Sequence, residues 1–207
     1  QIRNISSAFR ELADGILPQL RRSRMIINYE IIGRSDDQIK EQLNSDAKQL
    51  SVEEILYAAS LYGTGSDKAE EAYKKATQLY PNDARAFNNL ALIAYEKGNY
   101  DQAKQWAEKA LSINRSLPEA NANLGMLALL NGDTSTAENL ISKATNANGL
   151  SEVMGNLHLA QGKYAQAEQD FKGIMSNSAA LAQILNKNYQ SALTTLKKAK
   201  DGDGMTD

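Results

Sequence analysis

The chain has 207 residues, 42% of them hydrophobic and 23% charged, with a formal net charge of −2 and no cysteine. That length can bury a substantial core in one or two domains, while the near-neutral charge supplies no overall basic field for nucleic acid. No apolar run approaches the roughly 18 residues a membrane span needs, and the lack of thiols excludes disulfides, thiolate zinc sites and cysteine nucleophiles together.

The chain starts at Gln1 rather than Met and shows no signal-like apolar stretch, so it reads as a mature or excised fragment. Ser6–Leu20 has the pattern of an amphipathic helix, with Phe9, Leu12, Ile16 and Leu20 on one face. Arg22–Ile32 is β-branched and roughly alternating, which predicts a strand ended by Gly33. Ser35–Leu43 reads as a short polar helix capped by Ser35, with Asp36 and Asp37 in its first turn. One helix and one strand make no stable sheet. The strand therefore packs on a neighbouring helical array or closes an upstream domain. The run Leu20-Arg21-Arg22-Ser23-Arg24-Met25-Ile26-Ile27 resembles the closing strand of OmpA-like peptidoglycan-binding domains, where paired Arg precede an apolar strand. The rest of that binding motif is absent, so no peptidoglycan residues are carried over. What the resemblance implies is the Gram-negative cell envelope.

From Leu50 onward the chain repeats itself. Gly98 and Gly132 lie 34 residues apart, as do Ala103 and Ala137, and Ala110 and Ala144; Ala69 and Ala76 extend the series backward. A period held at so many positions is the mark of stacked supersecondary units. In the central unit, helix A is expected over about Ala84–Lys97 and helix B over about Tyr100–Ile113. Gly98 suits the left-handed position that ends helix A. Ala91, Ala103 and Ala110 let backbones approach, while Phe87, Leu90, Ala107 and Leu111 fill the seam. Pro81 and Pro118 fall at unit junctions. Later units shorten: Ala137 to Ala167 is 30 residues and Ala167 to Ala192 is 25. The first shortening falls in Asn146–Gly149, a helix stop, with Ser151 expected as the next N-cap. The fifth unit's helix A, around Ala179–Leu185, must be short. The reading is two regular units, two irregular ones and a weaker opening unit over Leu50–Tyr80.

These residues resemble the tetratricopeptide repeat family. Phe87, Leu90-Ala91, Tyr100, Ala103, Ala107 and Ala110 match its large residue, Leu-Gly/Ala, Tyr and small positions, and Tyr80-Pro81-Asn82 ends the preceding unit as the pattern asks. Arg115 stands where the family often has Pro, and Thr134 replaces the Tyr of the next unit. The resemblance covers roughly residues 50–200 and implies an all-α fold, a right-handed superhelix (α-solenoid) of helix hairpins. The expected organisation is an N-terminal helix–strand segment over 1–45, a repeat domain over 46–200, and the truncated start of a further helix over 201–207.

Chemistry has few candidates. His158 is the only histidine, so a histidine-based metal site or catalytic triad has little support, and a packing or surface role is expected. No phosphate-binding glycine loop or nucleophile elbow occurs. Asp201-Gly202-Asp203-Gly204 could open a calcium loop, but its spacing and missing terminal Glu do not fit an EF-hand. Glu53/Glu54 and Glu70/Glu71 are neighbours on a helix and diverge, reading as solvated faces. No catalytic residue, metal or cofactor is expected.

The resemblance places a ligand in the groove lined by A helices. By matching position its side chains are Arg85, Asn88, Asn89, Leu92 and Tyr95, then Glu119, Ala122, Asn123, Met126 and Leu130, then Asn156. Asn89 and Asn123 occupy equivalent positions and could bond an extended backbone. Ala122 and Glu119 disfavour a basic carboxylate clamp, so a mixed apolar and amide groove is expected. The expected partner is a protein or peptide, with no nucleic acid, no membrane span and an open oligomeric state. The alternative is a structural module whose groove is filled by its own chain. Either fits a larger protein of the periplasm or outer membrane, a cytoplasmic location being the other possibility.

Overall fold

The computed structural model describes residues 33–63 and 65–199, together with Arg10, Asp14 and Gly15. The expected Ser6–Leu20 helix, the Arg22–Ile32 strand with its OmpA-like run, and the Asp201–Asp207 segment lie outside the described residues. The chain divides into two compact units, Gln1–Arg34 and Ser35–Asp207, and every helix below belongs to the second.

Eleven α-helices follow in order among the described residues. Helix α1 (Asp36–Ser45) precedes five hairpins: α2 (Val52–Leu61) with α3 (Asp67–Leu79), α4 (Ala84–Glu96) with α5 (Tyr100–Ile113), α6 (Pro118–Leu130) with α7 (Thr134–Ile141), α8 (Leu150–Ala160) with α9 (Tyr164–Asp170), and α10 (Asn177–Leu185) with α11 (Tyr189–Lys198). A 3-10 turn, Ala47–Gln49, joins α1 to α2. Central-unit boundaries agree with the sequence period to one residue.

Local chemistry starts and stops these helices. Ser35 and Ser51 each form a capping box, with Gln38 and Glu54 respectively, so two otherwise orphaned backbone donors are satisfied at each start. Gly98 ends α4 at φ 75°, where the Asn99 amide donates to the Ala94 carbonyl and the Gly98 amide to Tyr95. The same pair of bonds closes α6 at Gly132, α8 at Gly162 and α10 at Lys187. Lys187 is the outlier, a side-chain-bearing residue at φ 63° in a place its siblings reserve for glycine.

The core is a row of clusters rather than one mass, as expected where each unit touches only its neighbours. The first joins Ile39 and Leu43 of α1 to Ile55, Ala59, Tyr73, Leu90 and Ile93. Trp106 of α5 packs against three clusters in succession and meets the Phe87 ring at 5.8 Å between centroids. In the later units glycine makes room for bulk: a Cβ on Gly125 would lie 2.6 Å from Ile141, and one on Gly155 would lie 2.6 Å from the Phe171 ring.

Two expectations need correction. Ser151 is not the N-cap of α8; Gly149, left-handed at φ 74°, takes that place, and Ser151 lies inside the helix. Helix α7 stops at Ile141, so the interruption runs through turns over Ser142–Gly149 rather than beginning at Asn146. With Asn146 and Gly149 both left-handed, the backbone itself redirects the chain without a side-chain cap.

Candidate functional site

The first helices of successive hairpins touch directly: α4 packs on α6, α6 on α8 and α8 on α10. They form a continuous wall, on which the expected groove residues fall into three groups.

The first group is already engaged. Arg85 makes a bidentate pair with Glu53 of α2, at 2.7 and 3.0 Å, and another with Asp83, at 2.6 Å. Its guanidinium is held well above its ordinary pKa, first by Asp83 and then by Glu53, while Arg85 holds both carboxyls below theirs. Asn88, 7% exposed, accepts a hydrogen bond from the Asn123 side chain at 2.9 Å. Asn123 is thus joined to Asn88 of the preceding unit, not to its positional equivalent Asn89. Asn89 instead reaches Tyr73 of α3: burial pushes the Tyr73 phenol up, and the hydrogen bond with Asn89 opposes that rise. Asn156 bonds back to the Glu152 carbonyl of its own helix at 3.0 Å.

The second group is apolar and open. Leu92 is 37% exposed and Leu130 is 51% exposed, with Met126 half-buried between them in the chain. Exposed large apolar side chains on a wall of packed helices are the informative kind of exposure. Tyr95 belongs to the third group, between floor and rim. It is half-buried, its ring lies 5.6 Å from that of Tyr100, and its phenol is pushed up by burial, then by Tyr100 and Glu152. Glu119 and Ala122 lie on α6, the former half-buried and the latter buried.

Sequence reasoning missed the continuation of this stripe. Leu92, Met126 and Asn156 each stand six residues before their turn residue, Gly98, Gly132 and Gly162; Leu181 stands six before Lys187. Leu130 and Leu185 likewise stand two before theirs. Leu181, Ile184 and Leu185 are all exposed. The signal was present in the sequence, since Lys187 stands five residues before Ala192 as Gly162 does before Ala167, but the groove positions were not carried beyond Asn156.

His158 is used structurally. Its Nδ1 lies 2.5 Å from Asp170 Oδ2, pinning α8 to α9. Glu70, read as a solvated acid, bonds Lys74 at 2.5 Å and Lys97 of the next unit at 2.6 Å, which hold its carboxyl below the ordinary value. Glu168 repeats that inter-unit bond with Asn186 at 2.7 Å. Among the described residues no group of three metal-ligating side chains converges, and no helix is long and apolar enough to cross a membrane.

Residues 60–118 match the family model described as tetratricopeptide repeat. The crystal structure of the APC/C hetero-tetramer Cut9–Hcn1 superposes with a TM-score of 0.63 at 17% identity, covering 79% of this chain and 35% of that one. This chain folds as a tetratricopeptide-repeat solenoid. YrrB, a tetratricopeptide-repeat protein with an unusual peptide-binding site, superposes at 0.53 with 17% identity, covering 80% of this chain and 92% of that one. The chain is also 33% identical over 89 residues to the type IV pilus assembly protein PilF of Pseudomonas aeruginosa, a match covering 41% of this chain and 34% of the relative. The aligned stretch spans about a third of that relative's length. The solved structure of P. aeruginosa PilF superposes at 0.54 with 19% identity, covering 90% of this chain and 84% of that one.

Proposed function

We propose that the repeats are a non-catalytic scaffold that holds a segment of another protein against the α4–α6–α8–α10 wall. The observation that carries this reading is the pair Leu92 and Leu130, large apolar side chains left exposed on helices whose other large apolar side chains are buried or half-buried. Removing such side chains from water is the main source of affinity available to the wall.

The geometry also selects the kind of ligand. Arg85 is saturated by Glu53 and Asp83, and the Asn88, Asn123, Asn89 and Asn156 amides have partners. A wall whose Arg85 is ion-paired and whose amides are partly engaged favours apolar side chains over a terminal carboxylate. The ligand is therefore a segment presenting leucine- or aromatic-like anchors, with Met126 adapting to their shape. The likeness to the type IV pilus assembly protein PilF supports a place in the cell envelope, where the repeats would serve an assembly of several proteins.

Photo-cross-linking tests the surface. A photoreactive residue placed at Leu92 or Leu130 is expected to form discrete adducts in cells of the source organism, while the same group at exposed Lys104 on α5 gives none. Equal labelling from all three positions would refute the assignment.

A further inference from the structure

A second surface feature is built by other helices than the wall. Tyr62, the C-cap residue of α2, is half-buried, and two ammonium groups approach its ring: Lys40 Nζ of α1 at 5.9 Å and Lys68 Nζ of α3 at 5.7 Å from the centroid. Two turns along α3 from Lys68, Lys75 donates to the Leu43 carbonyl at 2.8 Å, near the C-terminal end of α1. Among the described residues none of these three lysines is ion-paired with a carboxylate. Other cations of the second unit do find such partners, as Lys74, Arg85 and Lys97 show.

A cavity of about 100 Å³ is lined in part by Asn44, Tyr62, Lys68, Glu71 and Lys75, with Lys40 reaching the Tyr62 ring but not the cavity wall. A neighbouring cavity of about 270 Å³ shares Asn44 and Lys75 and adds Lys48 together with the carboxylate Asp46. Like charges gathered around one ring repel each other, and a concave site with low-dielectric walls focuses their field outward. Glu71 is the one carboxylate on the wall of the smaller cavity. Two ammonium groups against one carboxylate leave one positive charge on the cavity wall, and Lys40 beside the Tyr62 ring adds a second nearby, which together approach the charge of a phosphate group near neutral pH, about −1.5 to −2. Lysine suits that ligand, since its three rotatable donors can follow several oxygens at once.

We propose that Lys40, Lys68, Lys75 and the Asn44 amide form a binding site for one phosphate group, free or carried on a lipid headgroup. The larger cavity then leaves room for the group to which the phosphate is attached. This site is independent of the peptide wall, sharing no residue with it.

The test uses the full chain. Inorganic phosphate is titrated in a low-salt buffer while the backbone amide shifts of Asn44, Tyr62 and Lys68 are followed by NMR. A saturable single-site response is expected, absent with chloride at equal ionic strength and weakened about tenfold or more in Lys40→Ala/Lys68→Ala. Neither lysine makes a hydrogen bond to the protein, so that variant keeps its fold, checked by circular dichroism. Lys75 is left intact because it holds the Leu43 carbonyl. A parallel arm sediments the protein with phosphatidylcholine vesicles, with and without phosphatidic acid. Lysine-dependent binding of free phosphate alone identifies a soluble ligand; lysine-dependent binding that requires phosphatidic acid identifies a headgroup. No binding in either arm, or equal binding by the double variant, overturns the site.

Discussion

Replacing Gly155 by alanine sets two magnitudes against each other. In a helix interior alanine is favoured over glycine by about 1 kcal/mol, so α8 alone would gain from the change. The new Cβ, however, would sit 2.6, 2.6 and 2.8 Å from Cε2, Cζ and Cδ2 of Phe171, about 1 Å inside ordinary carbon contact. Phe171 is 2% exposed and packed among Ala167, Ala179, Ala182, Leu159 and Ile174, so the ring can yield only by disturbing those contacts. Overpacking of this kind costs about 1–3 kcal/mol, and a three-atom clash with an enclosed ring belongs near the top of that range. The net expectation is a loss of about 1–2 kcal/mol. Urea denaturation followed by circular dichroism measures it, on wild type, Gly155→Ala, Phe171→Leu and the double variant. The double variant should recover about 1 kcal/mol or more relative to the sum of the singles. Because repeat units interact with nearest neighbours, amide exchange should quicken in α8–α10 before α2–α5. A Gly155→Ala protein as stable as wild type would refute the packing argument.

Other substitutions probe other links. Lys187→Gly should stabilise by about 0.5–1 kcal/mol by removing a left-handed side-chain-bearing residue, whereas Gly98→Ala should cost about 1 kcal/mol although its Cβ would meet nothing within 4 Å; thermal melts distinguish the two signs. Asn123→Ala leaves the buried Asn88 oxygen without its donor and should cost about 1–3 kcal/mol, with the Asn88→Ala/Asn123→Ala pair costing less than the sum, read by the same denaturation cycle. Glu70 has a folded-state pKa below its ordinary 4.5, so its contribution is present above that value and is lost as pH falls through the lowered one; Glu70→Gln should flatten the acid side of the stability profile in a pH series of melts.

The fold was legible where local chemistry and the period agree. Around Gly98, the alanine spacing, the left-handed turn and the apolar stripe all point to one hairpin, and α4 and α5 lie where they should. Legibility fails where the backbone acts without a side-chain signature. Gly149 starts α8 through its conformation alone, so the capping residue Ser151 was the natural but mistaken choice. Helix α1 looked merely polar, yet Ile39 and Leu43, one turn apart, anchor it in the first cluster. Matching positions located the wall but not its pairings: Asn123 meets Asn88 because successive A helices pack with an offset, which equal numbering cannot express. The Tyr62 lysines come from two helices 28 residues apart in the chain, beyond the reach of any local pattern.

The central claim is that exposed apolar residues on the A-helix wall hold a protein segment. Its most direct test is a peptide selected from a random display library on the intact chain, with its affinity then measured by calorimetry against wild type, Leu92→Glu/Leu130→Glu and the off-wall control Lys104→Glu. Each lost apolar anchor is worth about 1–3 kcal/mol, so the double wall variant should bind at least about tenfold more weakly while the control matches wild type. Unchanged affinity in the wall variant, or an equal loss in the control, would contradict the account.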